Sequence, residues 1–177
     1  SSFTGLLGGL EDCDSSEAVI AYLDGLRGKN EIADLAFITF RDLTRSPWCP
    51  FLRASLERNP VSLEGMNHMC ADEVYRTLCS FDDASIYSRY RLAQPDEVIN
   101  FRTGDGLEKA ICLWNILWNR RKTDCFSLVI TAKEVYLRAS GREFVFPTQK
   151  DLPEQVVFYE DAPLCTKEHG ERIVASL

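Results

Sequence analysis

Hydrophobic residues in the first 80 positions recur every three or four residues, which is the spacing of amphipathic helices. The clearest case begins at Asp14-Ser15-Ser16-Glu17, which has capping-box spacing, and continues to Gly28. The same reasoning predicts three further helices, over residues 31–45, 48–58 and 70–79. In the first of these, the run LAFITF is rich in β-prone residues, so a strand remains an alternative. In the last, Val74, Leu78 and Cys79 are expected to face the core.

The pattern changes after Asp82-Asp83. SIYSRYRL, at 85–92, alternates in part and predicts a short strand. Pro95 then begins a short helix, because proline suits the first helical position. From Asp105 onward a long helix is predicted, with one broad apolar face formed by Leu107, Ala110, Ile111, Trp114, Leu117 and Trp118. Because its other positions are also largely apolar, we expect this helix to be nearly surrounded by protein.

The pattern in the last third of the chain predicts mainly strands. Three are predicted, CFSLVITA, EVYLRA and REFVFPT, with Ser140-Gly141 as the hairpin turn between the last two. A further strand is predicted at 156–159 and a closing helix at 166–175. The expected fold class is therefore α+β, in which a helical segment (1–82) precedes a core (83–177) of a buried helix packed on an antiparallel sheet. Together the two segments are expected to form one compact domain.

Composition and charge exclude some classes of function. The 177 residues carry a net charge of -7, which argues against binding to a nucleic-acid backbone. Arg120, Arg121 and Lys122 form a local basic patch, interpreted as partners of the helix C-terminus. No apolar run approaches the roughly 20 residues of a membrane span. The first residues lack the basic start of a signal peptide, and a chain that begins with Ser is expected to be a processed form or an excised piece.

Seven scattered cysteines form no CxxC pair, which excludes common zinc and two-cysteine redox spacings. An odd number would leave a thiol unpaired in an oxidising compartment, so reduced cysteines and a cytoplasmic location are expected. His68 and Cys70 alone give too few ligands for a metal ion. No metal and no cofactor are predicted.

Three motifs carry a resemblance to a known family. They are the Pro-Asp-Glu-Val-Ile turn at 95–99, the Gly-Asp-x-x-x-Lys-Ala helix start at 104–110, and the paired strands with a glycine hairpin at 134–146. With these motifs, residues 87–148 resemble the core of the transglutaminase-like superfamily, which shares the papain-related fold. The resemblance implies a cysteine nucleophile at the helix start, a histidine on the first following strand, and an orienting acid on the next.

None of those three catalytic groups is at the expected place. Gly106 stands where the cysteine is expected, and Phe146 stands where the acid is expected. The only histidines are His68 and His169, and neither falls within 125–146. The chain is therefore interpreted as a degenerate, non-catalytic member of that family, acting as a module that binds a protein or peptide.

The fold analogy places the binding groove at the helix start, where Gly106 would leave space and free N–H groups would face a ligand. Asp105, Glu108 and Lys109 are expected to line its mouth. The competing interpretation is that Asp105 only caps the helix and Lys109 is only solvated. A purely structural accessory domain of a larger chain is a further alternative.

A thiol-dependent enzyme built on Cys49 is the alternative function. Trp48-Cys49 opens a predicted helix and resembles the single-cysteine end of a thioredoxin site, where the helix N-terminus would acidify the thiol. The place of a resolving cysteine is held by Leu52. Cys112 and Cys125 are interpreted as structural core thiols.

Overall fold

The structure, a computed structural model, describes residues 9–88, 90–121, 125–159 and 168–169. The helices that lie wholly within these residues are α1 (Ser16–Gly25), α2 (Glu31–Phe40), α3 (Trp48–Glu57), α4 (Pro60–Gly65), α5 (Ala71–Cys79), α6 (Pro95–Phe101) and α7 (Gly106–Arg120). The strands are β1 (Phe126–Ile130), β2 (Glu134–Ala139), β3 (Arg142–Pro147), β4 (Gln155–Tyr159) and β5 (Glu168–His169). They form one antiparallel sheet in the order β3-β2-β1-β4-β5, which confirms the α+β class.

Helix α2 shows why LAFITF is helical. The Asn30 side chain accepts a hydrogen bond from the backbone N–H of Ile32 at 2.9 Å and thereby caps the helix start. At the other end Arg41 adopts a left-handed conformation with φ of 60°, which stops the helix at Phe40. The strand alternative is therefore wrong, and the helix is shorter than predicted.

Helix α4 was not predicted from the sequence. Its first turn is stabilised by Asp96, whose carboxylate accepts hydrogen bonds from the N–H groups of Val61 (3.1 Å) and Ser62 (2.7 Å). The cap thus comes from a residue distant in the chain, and no local pattern reveals it. In the next helix, α5, Val74 and Leu78 are buried as predicted, whereas Cys79 is exposed.

Two other elements differ from the predictions. SIYSRYRL forms bends rather than a strand over its described residues, with an isolated bridge between Arg91 and Asp42. Within the predicted closing helix, residues 168–169 instead form β5, which pairs with Val156 and Val157 of β4. The other residues of that predicted helix lie outside the described part of the chain.

Helix α7 is the centre of the core. It packs against β1, β2 and β3 on the sheet and against α3, α4, α5 and α6. Trp114 stacks on Phe126 of β1 with ring centroids 5.9 Å apart. Twelve of its 15 residues are buried, which confirms that protein surrounds it. The buried cluster runs from Leu43 to Leu152, so both predicted segments contribute to the same core.

Within the described residues, no helix has both the length and the apolar character needed to cross a membrane.

Candidate functional site

Gly106, where the resembled family carries its nucleophile, is enclosed by the end of β3. A Cβ atom added to Gly106 would lie 1.9 Å from the carbonyl oxygen of Pro147 and 2.9 Å from Cβ of Phe146. Such separations are forbidden sterically, so glycine is needed at this position to let the strand approach. The space expected beside Gly106 is therefore filled by backbone.

Asp105 caps α7 and joins it to the chain after β3. Its carboxylate accepts a hydrogen bond from the N–H of Leu107 at 2.9 Å. It also accepts from the hydroxyl of Thr148 at 2.6 Å and from the N–H of Gln149 at 2.7 Å. The interpretation of Asp105 as a helix cap is confirmed, and its carboxylate oxygens are already bonded within the protein.

Glu108 is fully buried beneath the segment that precedes α6. One carboxylate oxygen accepts from the hydroxyl of Ser85 at 2.6 Å and from the N–H of Ala93 at 2.8 Å. The other oxygen accepts from the N–H of Asp105 at 2.8 Å. The ammonium of Lys150 lies 3.8 Å away and supplies the opposite charge that a buried carboxylate needs.

Burial is the largest influence on Lys150 and lowers the pKa of its ammonium, although Glu108 and Asp105 oppose the change. The ammonium also donates to the carbonyl oxygens of Tyr87 (2.9 Å) and Arg91 (2.7 Å). These bonds hold the segment before α6 against the start of α7.

Lys109 is fully buried rather than solvated. Its ammonium donates to the carbonyl oxygen of Phe81 at 2.8 Å and to the carboxylate of Asp83 at 2.6 Å. The interpretation of Lys109 as a solvated residue is therefore wrong, because the turn after α5 covers it.

The four residues predicted to bind a ligand lie together, but none of them lines an open groove. Asp105, Gly106, Glu108 and Lys109 are all buried, and the three side chains are hydrogen-bonded to other parts of the chain. The start of α7 is a structural junction in this conformation. A ligand would reach these groups only if the surrounding segments moved away.

Among the thiols, Cys112 lies in the core on α7, as predicted, and burial raises its pKa strongly. A neutral buried thiol is a poor nucleophile. Cys125 is exposed, so its assignment to the core is wrong. Cys49 occupies the second position of α3, and its side chain lies outside the described part of the structure. Leu52, at the place of a resolving cysteine, is fully buried.

Over the described residues, no three His, Cys, Asp or Glu side chains converge as metal ligands. His68 lies exposed in the turn after α4, and His169 is in β5. Neither histidine belongs to β1, β2 or β3, where the resembled family would require one.

A surface cleft of about 390 Å³ lies between the C-terminal end of α2 and one face of α3, and we call it the α2–α3 cleft. Its main lining residues are Ile38, Arg41, Pro50, Phe51, Arg53 and Arg58. Arginines therefore stand beside apolar side chains in one concavity, which suits a ligand with both carboxylate and apolar groups. Arg41 follows α2, whereas Arg53 and Arg58 belong to α3 and its C-cap, so the sequence pattern alone does not place the three arginines in one concavity.

Arg41 is fixed at one side of this cleft. Its guanidinium makes a two-pronged ion pair with Glu97, with N–O distances of 2.6 and 3.3 Å, and donates to the hydroxyl of Tyr87 at 3.1 Å. Arg53 and Arg58 are exposed and form no ion pair within the described residues. Both guanidinium groups therefore add positive charge to an exposed part of the cleft.

The chain was also compared with known proteins. The likeness to the transglutaminase-like superfamily depends on the three motifs described above and stays a prediction. No family model, curated protein or solved structure matches the chain.

Proposed function

We propose that this chain is a non-catalytic, transglutaminase-like domain that binds a protein partner, and that the α2–α3 cleft receives an acidic, partly apolar peptide segment of that partner. The observation that carries the proposal is the pairing of Arg53 and Arg58 with apolar walls in one cleft of an otherwise acidic chain. Guanidinium groups form charge-assisted hydrogen bonds with carboxylates, and at physiological salt such attraction acts over about 8 Å.

An exposed apolar side chain on α2 lies one turn from the lining residue Ile38. Leu35 is 57% exposed and lies one helical turn before Ile38, so both side chains occupy the same face of α2. Pro50 and Arg53 are likewise one turn apart on α3. A peptide with a leucine-like side chain between carboxylates would match this order of apolar and cationic groups.

Two features support the non-catalytic part of the proposal. The helix start that would carry a nucleophile holds Gly106 against Pro147. Cys112, which is the nearest cysteine in the sequence, is buried and has a raised pKa. Neither residue provides a thiolate beside an open site.

The test uses a short fluorescent peptide in which glutamates flank two leucines, and a control peptide in which lysines replace the glutamates. Fluorescence anisotropy should show saturable binding of the acidic peptide only. The double variant Arg53→Gln, Arg58→Gln should weaken that binding at least about a hundredfold, because each lost charge-assisted hydrogen bond removes about 1.5 kcal/mol or more. Added salt should weaken the wild-type complex as well.

Arg138→Gln is the matched control. Arg138 is an exposed arginine on β2, outside the α2–α3 cleft, and it pairs with Glu143 at 2.7 Å. Its variant should bind the acidic peptide as the wild-type protein does. Equal binding of both peptides, or unchanged binding by the double variant, would contradict the proposed site.

The alternative proposal is a thiol-dependent enzyme that uses Cys49. The observation that favours it is the position of Cys49 in the first turn of α3, where backbone N–H groups and the helix dipole lower the pKa of a thiol. Its test is selective alkylation of Cys49, described in the Discussion.

A further inference from the structure

A second cleft, of about 290 Å³, lies between the start of α5, the end of α7 and the β2–β3 turn. We call it the hairpin cleft. Three arginines contribute to its wall, Arg120 and Arg121 from α7 and its C-cap, and Arg142 from the first position of β3. Leu117 and Ala71 add apolar surface to the same cleft. The three arginines concentrate positive charge around one small cavity in a chain with a net charge of -7.

Two of the arginines are held in place by neighbours. Arg120 donates to the carbonyl oxygen of Met66 at 2.7 Å, which engages one of the five N–H groups of a guanidinium. Arg142 forms an ion pair with Asp72 and lies over the Phe144 ring, 5.1 Å from the ring centroid. Arg121 forms no ion pair within the described residues.

Within the described residues, Asp72 offsets only one of the three positive charges. The side chains of Asp72 and Arg142 are 56% and 47% exposed, and an ion pair so exposed contributes little free energy. A ligand with more charge than a carboxylate can compete for Arg142. The interpretation of Arg120 and Arg121 as partners of the helix C-terminus does not account for Arg142, which approaches from the sheet.

We propose that the hairpin cleft binds a phosphate monoester whose organic part is a flat apolar group, such as an aryl phosphate. A phosphate offers three strong acceptor oxygens and close to two negative charges, which suits guanidinium groups arriving from two directions. Leu117 and Ala71, which are partly exposed, provide apolar surface for the ring of the ester, and Phe144 lies buried beneath Arg142. A cavity of this volume suits one small ester rather than a nucleotide chain.

A phosphorylated tyrosine in a partner and a free aryl phosphate share this chemistry. The inference is independent of the α2–α3 cleft, because the two clefts have no lining residue in common. Failure of the acidic-peptide experiment therefore leaves it unaffected.

The test is a titration of the full chain with phenyl phosphate, followed by calorimetry or by NMR shifts of arginine side chains. We expect saturable binding that weakens about tenfold in Arg121→Gln and in Arg142→Gln, because each loses a charge-assisted contact with the phosphate. Arg138→Gln is again the matched control, since Arg138 lies on β2 outside this cleft, and should bind as the wild-type protein does. Thermal unfolding of each variant checks that it remains folded.

The same titration is repeated with inorganic phosphate and with a phosphotyrosine peptide. Inorganic phosphate should bind at least about tenfold more weakly than phenyl phosphate, because it gains nothing from the apolar wall. Tighter binding of the peptide than of phenyl phosphate would identify a protein source for the ligand, and equal binding would identify the free ester. The proposal is overturned by the absence of saturable binding, by wild-type affinity in both cleft variants, or by equal affinity for inorganic phosphate.

Discussion

Replacement of Gly106 by alanine tests whether the start of α7 is a closed junction. The added Cβ atom would lie 1.9 Å from the Pro147 carbonyl oxygen and 2.7 Å from its carbonyl carbon. The end of β3 would have to move more than about 1 Å away from α7 to restore an ordinary contact distance. That retreat is opposed by the bonds of Asp105 to Thr148 and Gln149, at 2.6 and 2.7 Å, and by the N–H of Thr148, which donates to Lys133 at 2.8 Å.

The expected change in the free energy of unfolding combines three contributions. Forcing an extra methyl group into a packed region costs about 1–3 kcal/mol. Loss or distortion of the Asp105 cap adds about 1 kcal/mol. Replacing glycine by alanine returns about 0.4–1 kcal/mol through the entropy of the unfolded chain. The expected net loss of stability is about 2–3 kcal/mol, or roughly 5–10 °C in Tm for a chain of this length.

Urea and thermal unfolding followed by far-UV circular dichroism measure the loss. Gly25→Ala is the matched control, because Gly25 also lies in a helix and a Cβ there would meet nothing within 4 Å. It should leave the free energy of unfolding unchanged or raise it slightly. If Gly106→Ala were as stable as Gly25→Ala, the strand would not be pressed against the helix start, and an open groove there would be the better description.

Two further predictions concern ionisable groups. Burial alone would raise the pKa of Glu97, but hydrogen bonds from Arg41, Tyr87 and the Gln94 N–H outweigh it and the pKa is lowered. A carboxyl with a lowered folded-state pKa stabilises the protein above its unfolded pKa and loses that contribution as the pH falls through the folded value. Glu97→Gln should therefore cost about 1–2 kcal/mol near pH 7 in urea unfolding, and the difference from wild type should shrink near pH 3; a constant difference would contradict this account. Iodoacetamide at about pH 6, with labelled peptides identified by mass spectrometry, should leave Cys112 unmodified until the protein unfolds, and modification in the folded state would contradict its burial. Selective fast labelling of Cys49 would favour the thiol-enzyme alternative over the binding function.

The parts of the fold that could be predicted are those with local causes. Helix α7 is recognisable because most of its positions are apolar and Asp105 precedes it as a cap. The hairpin is recognisable because Ser140-Gly141 stands between two runs of alternating residues. In the structure both turn residues adopt positive φ values, of 53° and 75°. In each case the residues that determine the structure are adjacent in the chain.

The parts that could not be predicted depend on contacts distant in sequence. The cap of α4 comes from Asp96, and the turn after α5 that holds Asp83 covers Lys109. A lysine in a helix gives no local sign that an acid 26 residues earlier will lie 2.6 Å from its ammonium. The arginine clefts are similar in part, because Arg142 joins Arg120 and Arg121, and Arg41 joins Arg53 and Arg58, only after the elements pack.

Gly106 shows how one residue supports two opposite inferences. When the helix is considered alone, a glycine in place of a nucleophile suggests an empty space that a ligand could occupy. In the packed structure it marks instead the closest approach of a strand to a helix, since any side chain there would collide with Pro147. The polar groups around it, Asp105 and Glu108, are bonded to segments on either side of α7 and have no acceptor left facing solvent. For this reason the sites that we propose are the two arginine clefts rather than the start of α7.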